Sequence, residues 1–304
     1  MFVIETPYFN LDQIYLSGQI FRWIRLKSGK YIIPYRSKVL KVEQVKNRLL
    51  LSCNEKEFYD FWFDYFDLAT DYESLNNKLG FYGEYLKICS VRGKGIHIIK
   101  QDLFETIVSF IVSQQQSIPR IRAILDKICV VCGLTHKQGM RECGRVTWYE
   151  FPTPEQILEN ADNLDSCGLG YRKDYIIGIC QSIVDGWLDL EFLKELDYEE
   201  AKEYLMQFDG IGPKVADCIC LYALHHMQAF PIDTHIKEIL KREFGEEDPI
   251  AVRDWNFPEL IGYEGFVQQC MFYNEINKPM EVYNELSKQH KESCNWKQNK
   301  NTNI

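Results

Sequence analysis

The chain has 304 residues, of which 46% are hydrophobic and 26% charged, and its formal net charge is −9. These fractions are typical of a globular protein, and no apolar run reaches the roughly 18 residues that would span a bilayer. The first residues have no basic start followed by an apolar run. We therefore expect no signal peptide, and a protein that stays in the compartment where it is made.

The eleven cysteines are odd in number and irregular in spacing. A secreted disulfide scaffold is shorter and more regular, so we expect reduced thiols that lie mostly in the core. Cys129 and Cys132 form a single CxxC within an apolar helical pattern, without a second pair or histidines at a metal-binding spacing. We interpret this pair as core residues.

Charge is distributed unevenly along the chain. Residues 1–50 carry nine Lys or Arg against three acids, whereas acids are frequent elsewhere, as in residues 185–203. Because a basic region is the electrostatic footprint of nucleic-acid binding, the negative total does not exclude such a partner. A solvated sheet face explains the same basic residues, so charge alone leaves the question open.

The predicted elements change character along the chain. Residues 2–53 contain short segments rich in β-branched residues, such as YIIPY and KVLKVEQV, which predict an antiparallel sheet. Residues 55–86 have helical spacing with aromatic residues on one face, and a glycine-bearing break follows at residues 92–95. From residue 101 the pattern predicts helix after helix, one of them beginning with Thr153 as N-cap and Pro154 at its first position.

Residues 208–233 hold the pattern with the most chemical content. About residues 198–223 predict a helix, a glycine hairpin and a second helix that begins at Pro213, where the missing N–H costs nothing. Gly210 and Gly212 permit positive φ and a close backbone approach. The N–H groups of the hairpin and helix start are then available to a phosphate. A lone GxG is weak evidence, whereas the whole string is much stronger.

Two side chains of this segment suggest a reaction. Lys214 lies in the first turn of the second helix, where the helix dipole favours the neutral amine that a Schiff-base nucleophile requires. Asp233 precedes THIKEIL and is an evident N-cap. A carboxylate held by backbone donors also stabilises cationic charge nearby. A solvated lysine and a purely structural cap explain the same residues when each is taken alone.

At this point a family resemblance is specific. LMQFDGIGPKVADCICLYAL with AFPIDTHI resembles the helix-hairpin-helix, Gly/Pro-rich loop, Asp (HhH-GPD) superfamily of DNA glycosylases. KVADCICL and PIDTH are similar to its eukaryotic-type 8-oxoguanine DNA glycosylase/AP lyases. LSGQIFRW, LGYRKDYI and GYEGFVQQCMFYNEIN also have counterparts in that family. The resemblance covers all of the chain except its tail.

The resemblance implies an α+β fold in two parts. Residues 1–95 would form a TATA-binding-protein-like domain with an antiparallel sheet, residues 96–290 the mostly α-helical HhH-GPD glycosylase domain, and residues 291–304 a polar tail. The site would lie where the two domains meet. Expected partners are double-stranded DNA containing 8-oxoguanine and no membrane, with the protein a monomer. The expected location is a bacterial cytosol, or the nucleus if the source is eukaryotic.

The resemblance also implies a catalytic pair and a phosphate site. Lys214 would expel the damaged base, form a Schiff base and nick the strand by β-elimination, supported by Asp233. The phosphate contacts would come from Gly210, Gly212 and His235. These roles are coherent, because a stacked base must be flipped out before it is attacked.

Recognition of the lesion and of the opposite base would use separate residues. Gly18 would bind the damaged base through its carbonyl, and Gln268 would bond its Watson–Crick edge. Cys218 and Phe272 would sandwich the ring. The residues implied at the wedge and the opposite cytosine are Gln115, Arg120, Tyr171 and Arg172.

The chain departs from the family at one of these positions. Gln115 stands where the family has an asparagine, which puts the strictness of the cytosine preference in doubt. Only Cys270 and Cys294 follow Asp233, too few for an iron–sulfur cluster. We expect no required cofactor, although the resemblance admits a structural monovalent or divalent cation at the hairpin.

Two alternatives stay open. One is a glycosylase with another target, such as an alkylated base or adenine opposite 8-oxoguanine, and Gly18, Cys218 and Gln268 discriminate against it. Lys214 argues against the monofunctional members. The other alternative is a helix-hairpin-helix DNA-binding module without catalysis.

Overall fold

The computed structural model describes residues 1–140, 144–245 and 258–278. Its N-terminal part is a five-stranded antiparallel sheet in the order β1-β5-β4-β3-β2. The strands are β1 (Phe2–Glu5), β2 (Ile24–Arg25), β3 (Tyr31–Tyr35), β4 (Lys38–Val45) and β5 (Arg48–Leu51). The predicted sheet is therefore confirmed.

One face of this sheet is buried. In β4, Leu40 and Val42 are fully buried while the residues beside them are partly exposed, and Val42 pairs with Leu51 of β5. The aromatic face predicted after residue 55 covers the sheet core, with Phe58 and Trp62 in a π-helical turn. Burying side chains of this size contributes roughly 1.5–3 kcal/mol each.

Helices make up most of the remaining described chain, so the predicted α+β fold class is confirmed. Short π-helical or 3₁₀ turns lie at Phe58–Trp62, Ala161–Cys167, Leu240–Phe244 and Pro258–Leu260. None of the helices within residues 1–140, 144–245 and 258–278 is long and apolar enough to cross a membrane. The α-helices are α1 (Leu11–Leu16), α2 (Glu55–Glu57), α3 (Phe63–Tyr65), α4 (Tyr72–Leu79), α5 (Glu84–Arg92), α6 (Leu103–Ser113), α7 (Ile118–Cys132), α8 (Pro154–Glu159), α9 (Arg172–Val184), α10 (Leu190–Glu195), α11 (Tyr198–Leu205), α12 (Pro213–Tyr222), α13 (Thr234–Ile239) and α14 (Glu264–Ile276).

The expected uninterrupted series of helices after residue 101 is wrong at one place. Strands β6 (Thr135–Met140) and β7 (Gly144–Tyr149) pair antiparallel between α7 and α8. The run VTWY of β7 is rich in β-branched and aromatic residues, a strand signal that the helical pattern around it obscured. The predicted cap of α8 is confirmed, because Thr153 and Gln156 form a reciprocal capping box.

Two hydrophobic clusters form the interior. In the part of the chain that the structure describes, one cluster lies under the sheet, and the other is formed mainly by side chains of the helices from α4 to α14. A buried ion pair joins the two parts, because Arg22 after α1 meets Glu105 of α6 at 2.7 Å. Cys129 and Cys132 are buried free thiols of the helical part, in agreement with their assignment to the core. The domain boundaries at residues 95 and 290 stay a prediction.

Candidate active site

The hairpin begins from a well-capped helix. Asp197 and Glu200 form a capping box at the start of α11, and the turn after α11 closes with a 3.1 Å bond from the Ile211 N–H to the Phe208 carbonyl. Gly210 has φ +88°, and a Cβ on it would lie 2.6 Å from the Tyr175 ring. Only glycine fits this position without strain.

The second helix of the motif starts without a side-chain cap. Gly212 is the N-cap of α12 and Pro213 is its first residue. A first helical turn has N–H groups that no helical carbonyl satisfies, and here no side chain bonds them. Gly212 and Pro213 are exposed, so the start of α12 is open to solvent, a suitable position for a phosphate.

Lys214 is half-buried in the first turn of α12. Its Nζ lies 5.1 Å from the centroid of the Phe110 ring, a cation–π distance. One turn further, Cys218 is 3% exposed, and burial raises the pKa of its thiol to about 11 against the opposing effect of Lys214. The thiol is therefore neutral at physiological pH, and it lines the site as a small apolar side chain.

Asp233 is the N-cap of α13, as predicted. Its Oδ1 accepts a 2.8 Å bond from the N–H of Ile236. Its negative charge contributes to the raised pKa of Cys218, after the larger effect of burial. Asp233 has no ion pair with any described residue. Its second carboxylate oxygen is thus available for charge that develops nearby.

Residues from distant parts of the chain form a second wall, the glycine wall, which consists of Gly18, Gln268 and Phe272. Gly18 has φ +80°, and a Cβ on it would lie 2.8 Å from the ring of Phe272. Gln268 stands one turn before Phe272 on α14, is 4% exposed, and its Oε1 has no hydrogen-bond partner among the described residues. His235 of α13 packs on Phe272 with ring centroids 5.9 Å apart, and this contact connects the wall to the helix that Asp233 caps.

The residues predicted for the wedge and the opposite base lie together beside the hairpin. Tyr171 is 47% exposed at the start of α9. Gln115 is exposed in a left-handed conformation with φ +53°. Arg120 is exposed, and its guanidinium packs against Gly168. The Gln114 amide donates a 2.9 Å bond to the Gly210 carbonyl and so connects this group to the hairpin.

Arg172, which the resemblance implies at the opposite cytosine, is buried in this structure, unlike Arg120. It is 5% exposed, and its guanidinium donates to the carbonyls of Gln114 and Leu169. It also lies 4.5 Å from the Tyr171 ring. In this arrangement Arg172 fixes the loop that presents Gln115, and these bonds use three of its five N–H donors.

Pattern reasoning missed several residues that shape the site. Phe110 contacts Lys214, Tyr175 packs against Gly210, and Gln114 donates to the Gly210 carbonyl. In the sequence, these three residues look like ordinary members of a helix or of a polar run. Two clefts of about 340 and 310 Å³ lie elsewhere and contain none of the predicted site residues.

A metal is not evident at this site. No group of three or more His, Cys, Asp or Glu within the described ranges has a metal-binding arrangement. The hairpin carbonyls of Leu205, Phe208 and Gly210 already accept hydrogen bonds. A carbonyl oxygen has a second lone pair, so these bonds do not exclude an ion, and the cation at the hairpin stays a prediction.

Comparison with known proteins identifies the family. Residues 1–107 match the family described as "8-oxoguanine DNA glycosylase, N-terminal domain", and residues 108–253 match the "HhH-GPD superfamily base excision DNA repair protein". An "N-glycosylase/DNA lyase" of Saccharomyces cerevisiae is 35% identical over half of this chain. A "Probable N-glycosylase/DNA lyase" of Methanothermobacter thermautotrophicus is 28% identical over 65% of it. The matches span 42% of the yeast protein and 69% of the archaeal one.

A solved structure covers nearly the whole chain. It is that of the Clostridium acetobutylicum 8-oxoguanine glycosylase/lyase, in complex with double-stranded DNA containing cytosine opposite 8-oxoguanine. The two chains are 32% identical, with a TM-score of 0.81, and the alignment covers 90% of this chain and 97% of the clostridial one. The resemblance inferred from the motifs is thereby confirmed. The chain belongs to the 8-oxoguanine glycosylase/lyase family of the HhH-GPD superfamily, a family of bifunctional DNA-repair enzymes.

Proposed function

We propose that this protein excises 8-oxoguanine from duplex DNA through a Schiff base on Lys214 and then nicks the abasic site. The observation that carries the proposal is the position of Lys214. Its amine lies over Phe110 and beside the neutral Cys218, at the start of the helix that follows the hairpin. The Gly18–Phe272 wall connects to this region through His235.

The reaction follows from this placement. The Lys214 nitrogen attacks C1′ of the flipped nucleotide, and the C1′–N9 bond breaks as the base leaves with its electron pair and takes up a proton. The sugar ring opens to an imine between Nζ and C1′. Loss of a proton from C2′ then expels the 3′ phosphate by β-elimination and nicks the strand. Asp233 stabilises the positive charge that develops on the sugar.

The glycine wall supplies lesion recognition. 8-Oxoguanine carries a hydrogen on N7 that guanine lacks, and the Gly18 carbonyl is the acceptor for it. The buried Oε1 of Gln268 has no donor within residues 1–140, 144–245 and 258–278, and the N1–H and N2–H₂ groups of a purine edge provide one. The apolar faces of Phe272 and the Cys218 thiol hold the extruded ring.

The exposed residues beside the hairpin meet the rest of the duplex. Tyr171 fills the gap left by the flipped base, and Arg120 donates to the acceptor edge of an unpaired cytosine. Arg172 acts first by holding the Gln114 carbonyl. Gln115 occupies the opposite-base space with one methylene more than asparagine, which predicts a relaxed preference for cytosine. Phosphate contacts by Gly210, Gly212 and His235 fix the register on DNA.

The remaining proposals concern context. The amine is itself the nucleophile, so the reaction needs no cofactor. We expect the protein to act as a monomer, because one chain supplies all the proposed site residues. We also expect it to work in a compartment that holds DNA, a bacterial cytosol or a nucleus.

Borohydride trapping tests the proposal. Wild-type protein should become covalently attached to a duplex containing 8-oxoguanine, and Lys214→Gln should lower the trapped fraction by more than about a thousandfold. Lys194→Gln, which removes a charge from an ion pair on α10, is the matched control and should trap normally.

Duplexes with each of the four bases opposite the lesion measure the effect of Gln115. A second set with an alkylated base, or with adenine opposite 8-oxoguanine, tests the other targets. Trapping on those duplexes alone would reassign the substrate. Binding without any trapped complex would show a non-catalytic DNA-binding module.

A further inference from the structure

Two side-chain amides restrain the backbone on both sides of Gly18. The carbonyl of Ser17 accepts a 2.8 Å bond from Nε2 of Gln269, and the carbonyl of Gln19 accepts a 2.8 Å bond from Nε2 of Gln101. The peptide that carries the Gly18 carbonyl therefore lies between two fixed peptides. Glycine is the residue with the greatest backbone freedom, so such restraint has a larger effect here than at any other residue type.

Both amides lead to the same residue of α12. The hydroxyl of Tyr222 donates a 2.6 Å bond to Oε1 of Gln269. The carbonyl of Tyr222 accepts a 2.8 Å bond from the backbone N–H of Gln101. Gln269 is fully buried and Tyr222 is 5% exposed, so water does not compete for the bond between their side chains.

Tyr222 also contacts the environment of the lysine. Its ring stacks on Phe110 with centroids 5.4 Å apart and an interplanar angle of 13°. The Phe110 ring also lies 5.1 Å from Nζ of Lys214. Tyr222 follows Lys214 by about two turns of the same helix. Tyr222 thus contacts both Gln269, which restrains the backbone at Gly18, and Phe110, which lies against Lys214.

We propose that Gln269 is a positioning residue for lesion recognition, and that Tyr222 is the anchor through which it acts. Gln269 orients the Gly18 carbonyl relative to Lys214 by tying the Ser17 carbonyl to α12. This inference rests on the proposed function, because it supposes that the Gly18 carbonyl binds the damaged base and that Gln269 orients this carbonyl. Gln268, the preceding residue, faces the base, whereas Gln269 faces the protein.

The two activities of the enzyme separate this role from a structural one. Excision of 8-oxoguanine needs the Gly18 carbonyl, whereas nicking of a preformed abasic site has no base to recognise and needs Lys214 and Asp233 but not Gly18. Gln269→Leu keeps the volume of the side chain and leaves the Ser17 carbonyl without its donor. We expect single-turnover excision to slow about tenfold, while nicking at an abasic site stays within about twofold of wild type.

A second variant tests the anchor. Tyr222→Phe keeps the ring that stacks on Phe110 and removes only the hydroxyl. We expect a smaller selective loss of excision, and no additional loss when this change is combined with Gln269→Leu, because both variants break the same connection.

Gln13→Leu is the matched control. Gln13 of α1 makes the same kind of two-way amide bridge, to the Arg92 carbonyl and the Gly95 N–H, away from the proposed contacts of the base. It should lower thermal stability without changing the ratio of excision to nicking.

An equal fall of excision and nicking in Gln269→Leu, or an unchanged excision rate, would overturn the positioning role. Additive effects of Gln269→Leu and Tyr222→Phe would overturn the anchor. If wild-type protein does not excise 8-oxoguanine at all, the proposed function fails, and this inference fails with it. That outcome is seen in wild-type protein, whereas a failure of the positioning role alone is seen only in the variants.

Discussion

The candidate site has two walls: a hairpin wall, which consists of Lys214, Asp233 and the hairpin at residues 208–212, and the glycine wall of Gly18, Gln268 and Phe272. The two walls are held by contacts of different range along the chain. Lys214 and Asp233 lie within one segment of 26 residues, and a turn, a helix start and an N-cap position them. Gly18 depends on a bond between Ser17 and Gln269, which are 252 residues apart in the chain. The chemistry is therefore built locally, and lesion choice is built by the tertiary fold.

This difference predicts that mutations divide into two classes. Changes in the hairpin wall should affect every DNA substrate, because they alter the nucleophile or the grip on phosphate. Changes around Gly18 should affect only steps that require the damaged base.

The largest selective effect is expected for Gly18→Ala. The residue has φ +80°, which costs an alanine roughly 1–2 kcal/mol, and the new methyl group would press on Phe272. Excision of 8-oxoguanine should fall about a thousandfold, whereas nicking of an abasic site should change less than about threefold. Single-turnover kinetics on the two substrates measure both.

Gly29→Ala controls for the strain alone. Gly29 has φ +79°, but a Cβ there meets nothing within 4 Å. This variant should lose stability by a similar backbone cost while both activities persist. A thousandfold loss of nicking in Gly18→Ala would show that the two walls are not separable.

Asp233→Asn should give the next largest effect, on the other wall. Asparagine is an equally good N-cap, so thermal stability should stay within about 0.5 kcal/mol of wild type. Without the carboxylate, developing charge on the sugar loses its support. Single-turnover excision and nicking should both fall about a hundredfold.

Asp71→Asn is the matched control, because Asp71 caps α4 through the same bond to a backbone N–H. It should leave both activities unchanged. Loss of excision alone in Asp233→Asn would place Asp233 with lesion recognition and contradict its local role.

The sequence predicted the hairpin wall well because its determinants are neighbours in the chain. Gly210, Pro213 and Asp233 are each a local requirement of a turn, a helix start or a cap. The roles of Gly18, Gln268 and Phe272 came only from resemblance to a family. Nothing local indicates that Gln269 reaches Ser17 or that Arg172 is buried, since a glutamine or an arginine looks the same in either setting.

The seam next to the glycine wall should be sensitive to acid. His97 is 5% exposed, and burial lowers its pKa to about 4 although the carbonyls of Tyr8, Phe66 and Asp67 face its ring nitrogens. The unfolded chain binds this proton near pH 6.5 and the folded chain does not. The free energy of unfolding therefore has its highest value, as far as His97 is concerned, above about pH 6.5, and it decreases as the pH drops toward 4.

At pH 5 this one group should remove about 2 kcal/mol of stability. Denaturant unfolding at pH 7 and pH 5 measures the loss in wild type and in His97→Gln, which does not titrate. The variant should lose about 2 kcal/mol less than wild type between the two pH values. The His97 carbonyl accepts a hydrogen bond from the Gln19 side chain, so the loss of stability at low pH is expected to begin beside Gly18. Equal losses in both proteins would contradict the assignment.

The smallest effect is expected for Gly210→Ala, which disturbs the grip on phosphate. A Cβ at Gly210 would lie 2.6 Å from the Tyr175 ring, in a backbone with φ +88°. The hairpin must shift, and duplex affinity should fall about tenfold, equally for damaged and undamaged DNA, because backbone contacts carry no base information. Fluorescence anisotropy with the two duplexes measures both affinities.

Gly186→Ala is the matched control. Gly186 has φ +77°, and a Cβ there meets nothing within 4 Å, so this variant should have the same backbone strain and keep its affinity for DNA. A loss confined to the damaged duplex would place the hairpin with the glycine wall and remove the division between the two.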